Sequence, residues 1–364
     1  MLLKDIIAEI ENIAPPALQE HYDNSGLIVG HPSQEIKAAL ICLDSTEAII
    51  DEAIAKNCNL VIAHHPIVFS GLKKFNGKNY IERVVMKAIK NDIALYAAHT
   101  NLDNAYNGVS YKMAEKLGLK NVSTLQPKKE LLKKIVTFCP VAHAEAVRNA
   151  MFSQGAGHIG DYSACSFNTE GTGTFKGGEN SQPFVGSANK MHFEAELKIE
   201  TVVYAHQLPR VINAMIAAHP YEEVAYDIYP IENSALQIGS GVVGELSSTV
   251  NAMEFLSSLK RIFKTDCIRF TTIHKETVSK IALCGGSGSF LLSDAIQSGA
   301  DVFITADFKY HQFFDAENKI VIADIGHYES EQFTSELIYD ILIKKIPNFA
   351  LHLSEKNTNP INYL

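Results

Sequence analysis

No segment of this sequence runs apolar for anything near the roughly 18 residues that suggest a membrane span, and no low-complexity tract interrupts it. Cysteine is sparse: Cys42, Cys58, Cys139, Cys165, Cys267 and Cys284 are scattered, with no CxxC spacing and no dense framework. That pattern excludes a disulfide scaffold and points to reduced, mostly buried thiols in a reducing cytoplasm. The opening, MLLKDIIAEIENIAPP, has too few consecutive apolar residues for a signal peptide, and it carries Asp5, Glu9 and Glu11. Its Leu2, Ile6, Ile7 and Ile10 instead predict an amphipathic first helix. Positive charge is in deficit too: a net charge of −9 argues against a surface that neutralises long nucleic acid. A P-loop is also missing, since CGGSGS (284–289) has neither the required spacing nor the lysine. Amides at such a turn could hold an anion, and a tight strand-to-helix turn explains the glycines equally well.

What is present is ordinary globular material, 46% hydrophobic and 20% charged over 364 residues, enough for two or three domains. Six apolar runs of strand length each end in a short polar cluster followed by a helix-like segment. They are AALICLDST (38–46), NLVIAHHP (59–66), IALYAAHTNLD (93–103), KIALCGGSGS (280–289), DVFITADFKYH (301–311) and KIVIADIGHYE (319–329). Continuous rather than alternating runs mark strands covered on both faces, so a mostly parallel α/β architecture is expected. Ligands of such sheets sit beyond the strands' carboxyl ends, where all six polar clusters fall. Between the two α/β parts, residues 128–231 read as strand, helix, strand, strand, helix, strand. This is the order of a ferredoxin-like α+β domain, and it looks inserted. The expected partition is therefore 1–127, the insert 128–231, and 232–364.

Imidazoles and carboxylates together are the ligands of Zn, Fe, Mn and related ions, and two-metal hydrolytic centres use both. His64 and His65, Asp103, and His327 with Glu331 all stand at predicted strand ends. His327 and Glu331 are one turn apart on the expected last helix, HYESEQFTSELIYDILIKKI, and so share a face. His64 and His65 cannot point the same way on a regular strand, but they can splay toward two ions where Pro66 ends it. These five are the expected metal ligands, with Glu331 bridging. Water held between two ions becomes a nucleophile near neutral pH. His99 and His311 are candidates for proton transfer or for supporting a ligand. Asp44, Thr46, Thr100, Asn101 and Asp307 could orient ligands or merely cap helices. Taken singly, each motif has a bland alternative, a hydrogen-bonded histidine or an exposed pair; their shared placement favours the site. Lys73, Lys74 and Lys78 read as a solvated loop, and His158, His219 and Glu222 as structural residues of the insert.

The segments HYDNSGLIVG, LDST, AHHPIVFSG, AAHTNLDNAYNGVS, GGSGS, TADFKYH and ADIGHYESE follow one another along nearly the whole chain. They resemble the signatures of the NGG-one-interacting-factor-three-like family, whose bacterial members carry the label GTP cyclohydrolase 1 type 2 homolog. GAGHIGDYSACSFNTEGTGTF and AHPYEEVAYDIYP resemble the insert of its longer members. The resemblance implies a two-lobed α/β fold with a dinuclear metal site on His64, His65, Asp103, His327 and Glu331. It further implies toroidal homohexamers and an inserted domain similar to CutA and PII-like proteins. The expected function is a cytoplasmic metal-dependent hydrolase with two divalent ions (Zn, Fe, Mn, Co or Ni) acting on a nucleotide-like substrate. Two rivals stay open: a metal-binding regulatory or scaffold hexamer without turnover, and a phosphoester hydrolase.

Overall fold

The computed structural model describes residues 1–364. They divide into two compact units, Met1–Pro127 together with Gln237–Leu364, and Lys128–Leu236. The amphipathic opening forms α1 (Leu3–Glu11), which buries Leu3, Ile6 and Ile10. β1 (Gly26–Val29) and β2 (Ala38–Asp44) follow. Thr46 caps α2 (Glu47–Ala55) by accepting from the Ile49 amide, and β3 (Leu60–His65) comes next. Asn79 starts α3 (Tyr80–Lys90) by accepting from the Glu82 amide. Caps of this kind contribute about 1 kcal/mol each. The chain continues through β4 (Ala94–Ala97), the short α4 (Thr100–Asp103), α5 (Val109–Leu117) and β5 (Lys120–Lys128).

The second unit contains β6 (Leu132–Pro140), α6 (Ala144–Ser153), β7 (Ser166–Lys176), β8 (Met191–Tyr204), α7 (Leu208–Ala218) and β9 (Tyr226–Pro230). Its antiparallel sheet has the order β7-β8-β6-β9, the connectivity of a split βαβ unit. Val147 and Met151 of α6 and Val211 and Met215 of α7 pack with Ile135 and Ile199 of the sheet as a separate core. The chain then returns through β10 (Ala235–Asn251), α8 (Ala252–Ile262), β11 (Arg269–Phe270), β12 (Thr277–Ser287), α9 (Leu292–Gln297) and β13 (Val302–Ala306). It finishes with β14 (Val321–Asp324), α10 (His327–Glu331), α11 (Thr334–Lys345) and β15 (Ala350–Leu353). No helix is long and apolar enough to cross a membrane.

The first unit holds two mixed sheets, ordered β1-β4-β3-β2-β15 and β11-β14-β13-β12-β10-β5. The central pairs are parallel, as the continuous apolar runs predict, while β1, β10 and β11 pair antiparallel with β4, β12 and β14. β2, β3, β13 and β14 are buried at nearly every position. Each fully buried Ile, Leu or Val there stabilises the fold by roughly 1.5–3 kcal/mol. The sheets do not follow chain order: β15 joins the first sheet beside β2, and β5 joins the second beside β10. The helix expected to run unbroken from His327 is instead two helices. The break lets the buried Phe333 pack on Phe263, with ring centroids 6.0 Å apart, while Gln332 donates to the carbonyls of Phe263 and Glu329.

Candidate metal centre

The parallel strands deliver their last residues to one place. Asp44 ends β2 and is the register partner of His65 at the end of β3. His64, one residue earlier, is fully buried, and its Nδ1 donates to the Ala98 carbonyl at 2.7 Å. The Nδ1 of His65 donates to Asp44 Oδ1 at 2.7 Å, and that of His327 to Asp307 Oδ2 at 2.6 Å. Each of the three rings therefore has its Nδ1 fixed by an acceptor and its Nε2 free to face inward. Metal-ligating histidines are commonly oriented in this way.

Glu331 lies at the focus of these rings. Its Oε2 is 2.9 Å from His65 Nε2 and 3.1 Å from His327 Nε2, while its Oε1 is 3.7 Å from His64 Nε2. Asp103 Oδ1 lies 3.6 Å from His64 Nε2. The donor atoms fall into three groups, each within 4.8 Å: His64, Asp103 and Glu331; His65, His327 and Glu331; and His64, His65 and His99. His64 Nε2 and Asp103 Oδ1 are buried without a hydrogen-bond partner. Buried polar atoms are costly to leave unsatisfied, so these two, facing each other across 3.6 Å, fit a cation.

Charge in the cluster follows its environment. Burial pulls His64 down toward the neutral form. Burial opposes the charged form of His65 as well, yet the carboxylates of Asp44 and Glu331 outweigh it and hold the ring up to about 10. His327 is likewise held up to about 11 by Glu331 and Asp307 against the effect of burial. Asp103 is pushed well above the usual carboxylate range by burial and by Glu331. Glu331 is held well below that range because His327 and His64 overcome its own burial.

All five expected ligands are brought together, and His99 stands against them with its ring centroid 5.3 Å from that of His64 and 5.4 Å from that of His65. His311 is not brought in; it is exposed, and its ring meets Tyr310 and Phe314 outside these groups. Of the residues that could orient or cap, Asp44 and Asp307 orient histidines, and Thr46 caps α2. Asn101 Oδ1 accepts from the His99 amide, and its side-chain amide donates to Ala14. At the glycine-rich end of β12 the Gly285 amide donates to Ser110 Oγ and the Gly286 amide to Ser330 Oγ, and a side chain on Gly286 would strike Glu331. Lys73, Lys74 and Lys78 are exposed. In the insert, His158 donates to Gly155, His219 to the Phe138 carbonyl, and Glu222 accepts from the Gln182 amide.

Sequence reasoning missed Asp23, whose Oδ1 accepts from His99 Nδ1 at 2.7 Å while Oδ2 accepts from Thr100 and Ser25. Its only signal was its place in HYDNSG. Near it, the rings of Tyr22 and Phe69 lie 6.3 Å apart, 56% and 48% exposed, and Phe69 meets the His99 ring at 6.0 Å.

Comparison with known proteins is consistent along the full chain. The model of the family Duf34/NIF3 (NGG1p interacting factor 3) matches residues 1–360. A protein of Halalkalibacterium halodurans named GTP cyclohydrolase 1 type 2 homolog is 39% identical over 364 residues, covering 99% of this chain and 98% of its own. One of the same name from Bacillus subtilis is 38% identical over 367 residues, with coverage of 99% and 98%. The crystal structure of a Bacillus cereus protein related to NIF3 superposes with a TM-score of 0.87 at 37% identity, covering 100% of this chain and 99% of its own. A Staphylococcus aureus structure reaches 0.78 at 30% identity, with the same coverage.

Proposed function

The chain belongs to the Duf34/NIF3 family, and on that premise we propose that it is a hydrolase whose His64, His65, Asp103, His327 and Glu331 hold two divalent ions. The carrying observation is Glu331: its two oxygens face two different sets of donors, His65 with His327 on one side and His64 on the other. Asp103 completes the second set. The ions are drawn from Zn, Fe, Mn, Co and Ni, all of which accept this mixture of imidazole and carboxylate. When bound, they supply Lewis acidity and lower the pKa of water.

The chain's own residues do the rest. Asp44, Ala98 and Asp307 fix the ring planes, so the Nε2 atoms arrive already oriented. His99 moves the proton: Asp23 holds its Nδ1, which leaves Nε2 as the exchanging atom beside the cluster. The half-exposed faces of Tyr22 and Phe69 next to His99 suit a planar ring, which supports a nucleotide-like substrate, as does the name carried by the relatives. The same reading makes residues 128–231 an inserted CutA/PII-like domain between lobes 1–127 and 232–364. The whole is a cytoplasmic toroidal homohexamer.

The deciding experiment measures metal content and turnover together. Protein reconstituted with zinc, manganese or cobalt is expected to carry two ions per chain and to convert GTP or another nucleotide, and His65→Ala is expected to lose conversion. Fewer than two ions at full loading overturns the dinuclear arrangement. An absence of product from GTP and a nucleotide panel, with wild type and His65→Ala alike, overturns the hydrolase. Phosphate release from a phosphoester panel would replace ring chemistry with phosphoryl chemistry. Partner capture that needs residues 128–231 but not Asp103 would favour a scaffold.

A further inference from the structure

Beyond β15 the chain has no regular secondary structure through residue 360, yet it is held by a series of specific bonds. β15 runs parallel to β2, with Leu353 opposite Ile41, and the Ser354 amide donates to the Ile41 carbonyl at 2.8 Å. Glu52 then anchors the segment by accepting from Ser354 Oγ at 2.6 Å and from the Glu355 amide at 3.0 Å. The segment thus passes beyond the end of β2 and reaches the candidate centre at two points. Thr358 Oγ1 donates to Asp44 Oδ2 at 2.6 Å, and the other oxygen of Asp44 is the acceptor for His65 Nδ1. Asn359 Nδ2 donates to Glu329 Oε1 at 2.9 Å. Glu329 is buried within α10, two residues from His327 and two from Glu331.

We infer that Thr358 and Asn359 are positioning residues of the metal centre, an inference that rests on the metal-binding reading above. Thr358 restricts Asp44 to one rotamer and one orientation, and Asp44 in turn sets the plane and tautomer of His65. Asn359 satisfies a buried carboxylate on the turn that presents His327 and Glu331, so that this turn cannot rotate to find another partner. Neither residue touches the ion. Both act through groups that do, and removing such support typically costs 10–100-fold in metal affinity.

The test titrates the full chain with zinc or cobalt against a competing chelator and follows the visible cobalt spectrum. Thr358→Val, which keeps the shape and removes the hydroxyl, is expected to bind about tenfold more weakly. Thr358→Ser restores wild-type binding, and Asn359→Ala weakens binding to a similar degree. The melting temperature of the metal-free protein is expected to match wild type in Thr358→Val. Wild-type affinity and an unchanged cobalt spectrum in both Thr358→Val and Asn359→Ala overturn the inference alone. So does a loss that tracks a lowered melting temperature and is not restored by serine. If the wild-type chain binds neither ion, the metal-binding reading itself has failed and takes this one with it.

Discussion

Gly286 lies directly against the Glu331 carboxylate: a Cβ on Gly286 would overlap Oε1 and stand 3.2 Å from Cδ, and also 3.2 Å from His327 Cε1. The backbone there has φ +60°, in the left-handed region. Gly286→Ala therefore meets both strain and a clash, and it is expected to destabilise the metal-free fold by about 1–3 kcal/mol. It is also expected to displace Glu331 and so to lower metal affinity. Urea unfolding and a zinc competition titration measure the two effects; wild-type values in both would contradict the close approach.

Removing one donor should separate the two halves of the centre. His327→Ala leaves His64, Asp103 and Glu331 in place, and His64→Ala leaves His65, His327 and Glu331. Each variant is expected to retain one ion per chain by elemental analysis. Retention of both ions by either variant, or loss of both, would contradict two donor sets joined through Glu331.

Metal uptake is expected to be coupled to proton release. Without ions, His65 and His327 keep their protons up to about 10 and 11, against an ordinary value of 6.5. A folded-state pKa raised in this way adds stability that is fully present below about pH 6.5 and is lost as pH rises through about 10. Asp103, a carboxyl raised in the fold, acts in the same direction as it ionises. Chelator-treated protein should therefore lose urea resistance from about pH 7 to about pH 10. Over the same range, zinc affinity should rise, because the ions take the positions of the Nε2 protons. A metal affinity independent of pH, measured in buffers of differing ionisation enthalpy, would contradict this.

The second unit should be open to weakening without effect on the centre. Ile199 is fully buried in the core shared by β6, β8, α6 and α7. Ile199→Ala is expected to cost roughly 2–5 kcal/mol. Hydrogen exchange should accelerate within residues 128–236, with zinc content unchanged. Uniform acceleration across the whole chain would show that the two units unfold together.

The parts of the site that follow from strand-end chemistry were legible in the sequence. Continuous apolar runs located β2, β3, β4, β12, β13 and β14, and the polar residues that end them include His64, His65 and Asp44. The spacing of His327 and Glu331 survived the break after α10 because both lie on its single turn. The break itself was hidden, since EQFTSEL carries no proline or glycine, and it coincides with the burial of Phe333 against Phe263, a tertiary contact with no local signal. Asp23, Thr358 and Asn359 were illegible for a different reason. They lie in irregular chain, and only tertiary placement shows what they bond. The exchange of β5 and β15 between the two sheets likewise has no local pattern to betray it.

That exchange bears on how the protein comes into being. β2 and β15 are neighbours across a sheet although roughly three hundred residues separate them in sequence. A growing chain emerging from the ribosome can bury α1 and align β2, β3 and β4 early, but the edge beside β2 stays open until β15 has been made. His65 and Glu331 are subject to the same delay, since two of the five candidate donors, His327 and Glu331, follow the other three by more than half of the chain. On the metal-binding reading proposed above, cation capture waits for α10, and a product truncated before β15 would expose a raw sheet edge to proteolysis and aggregation.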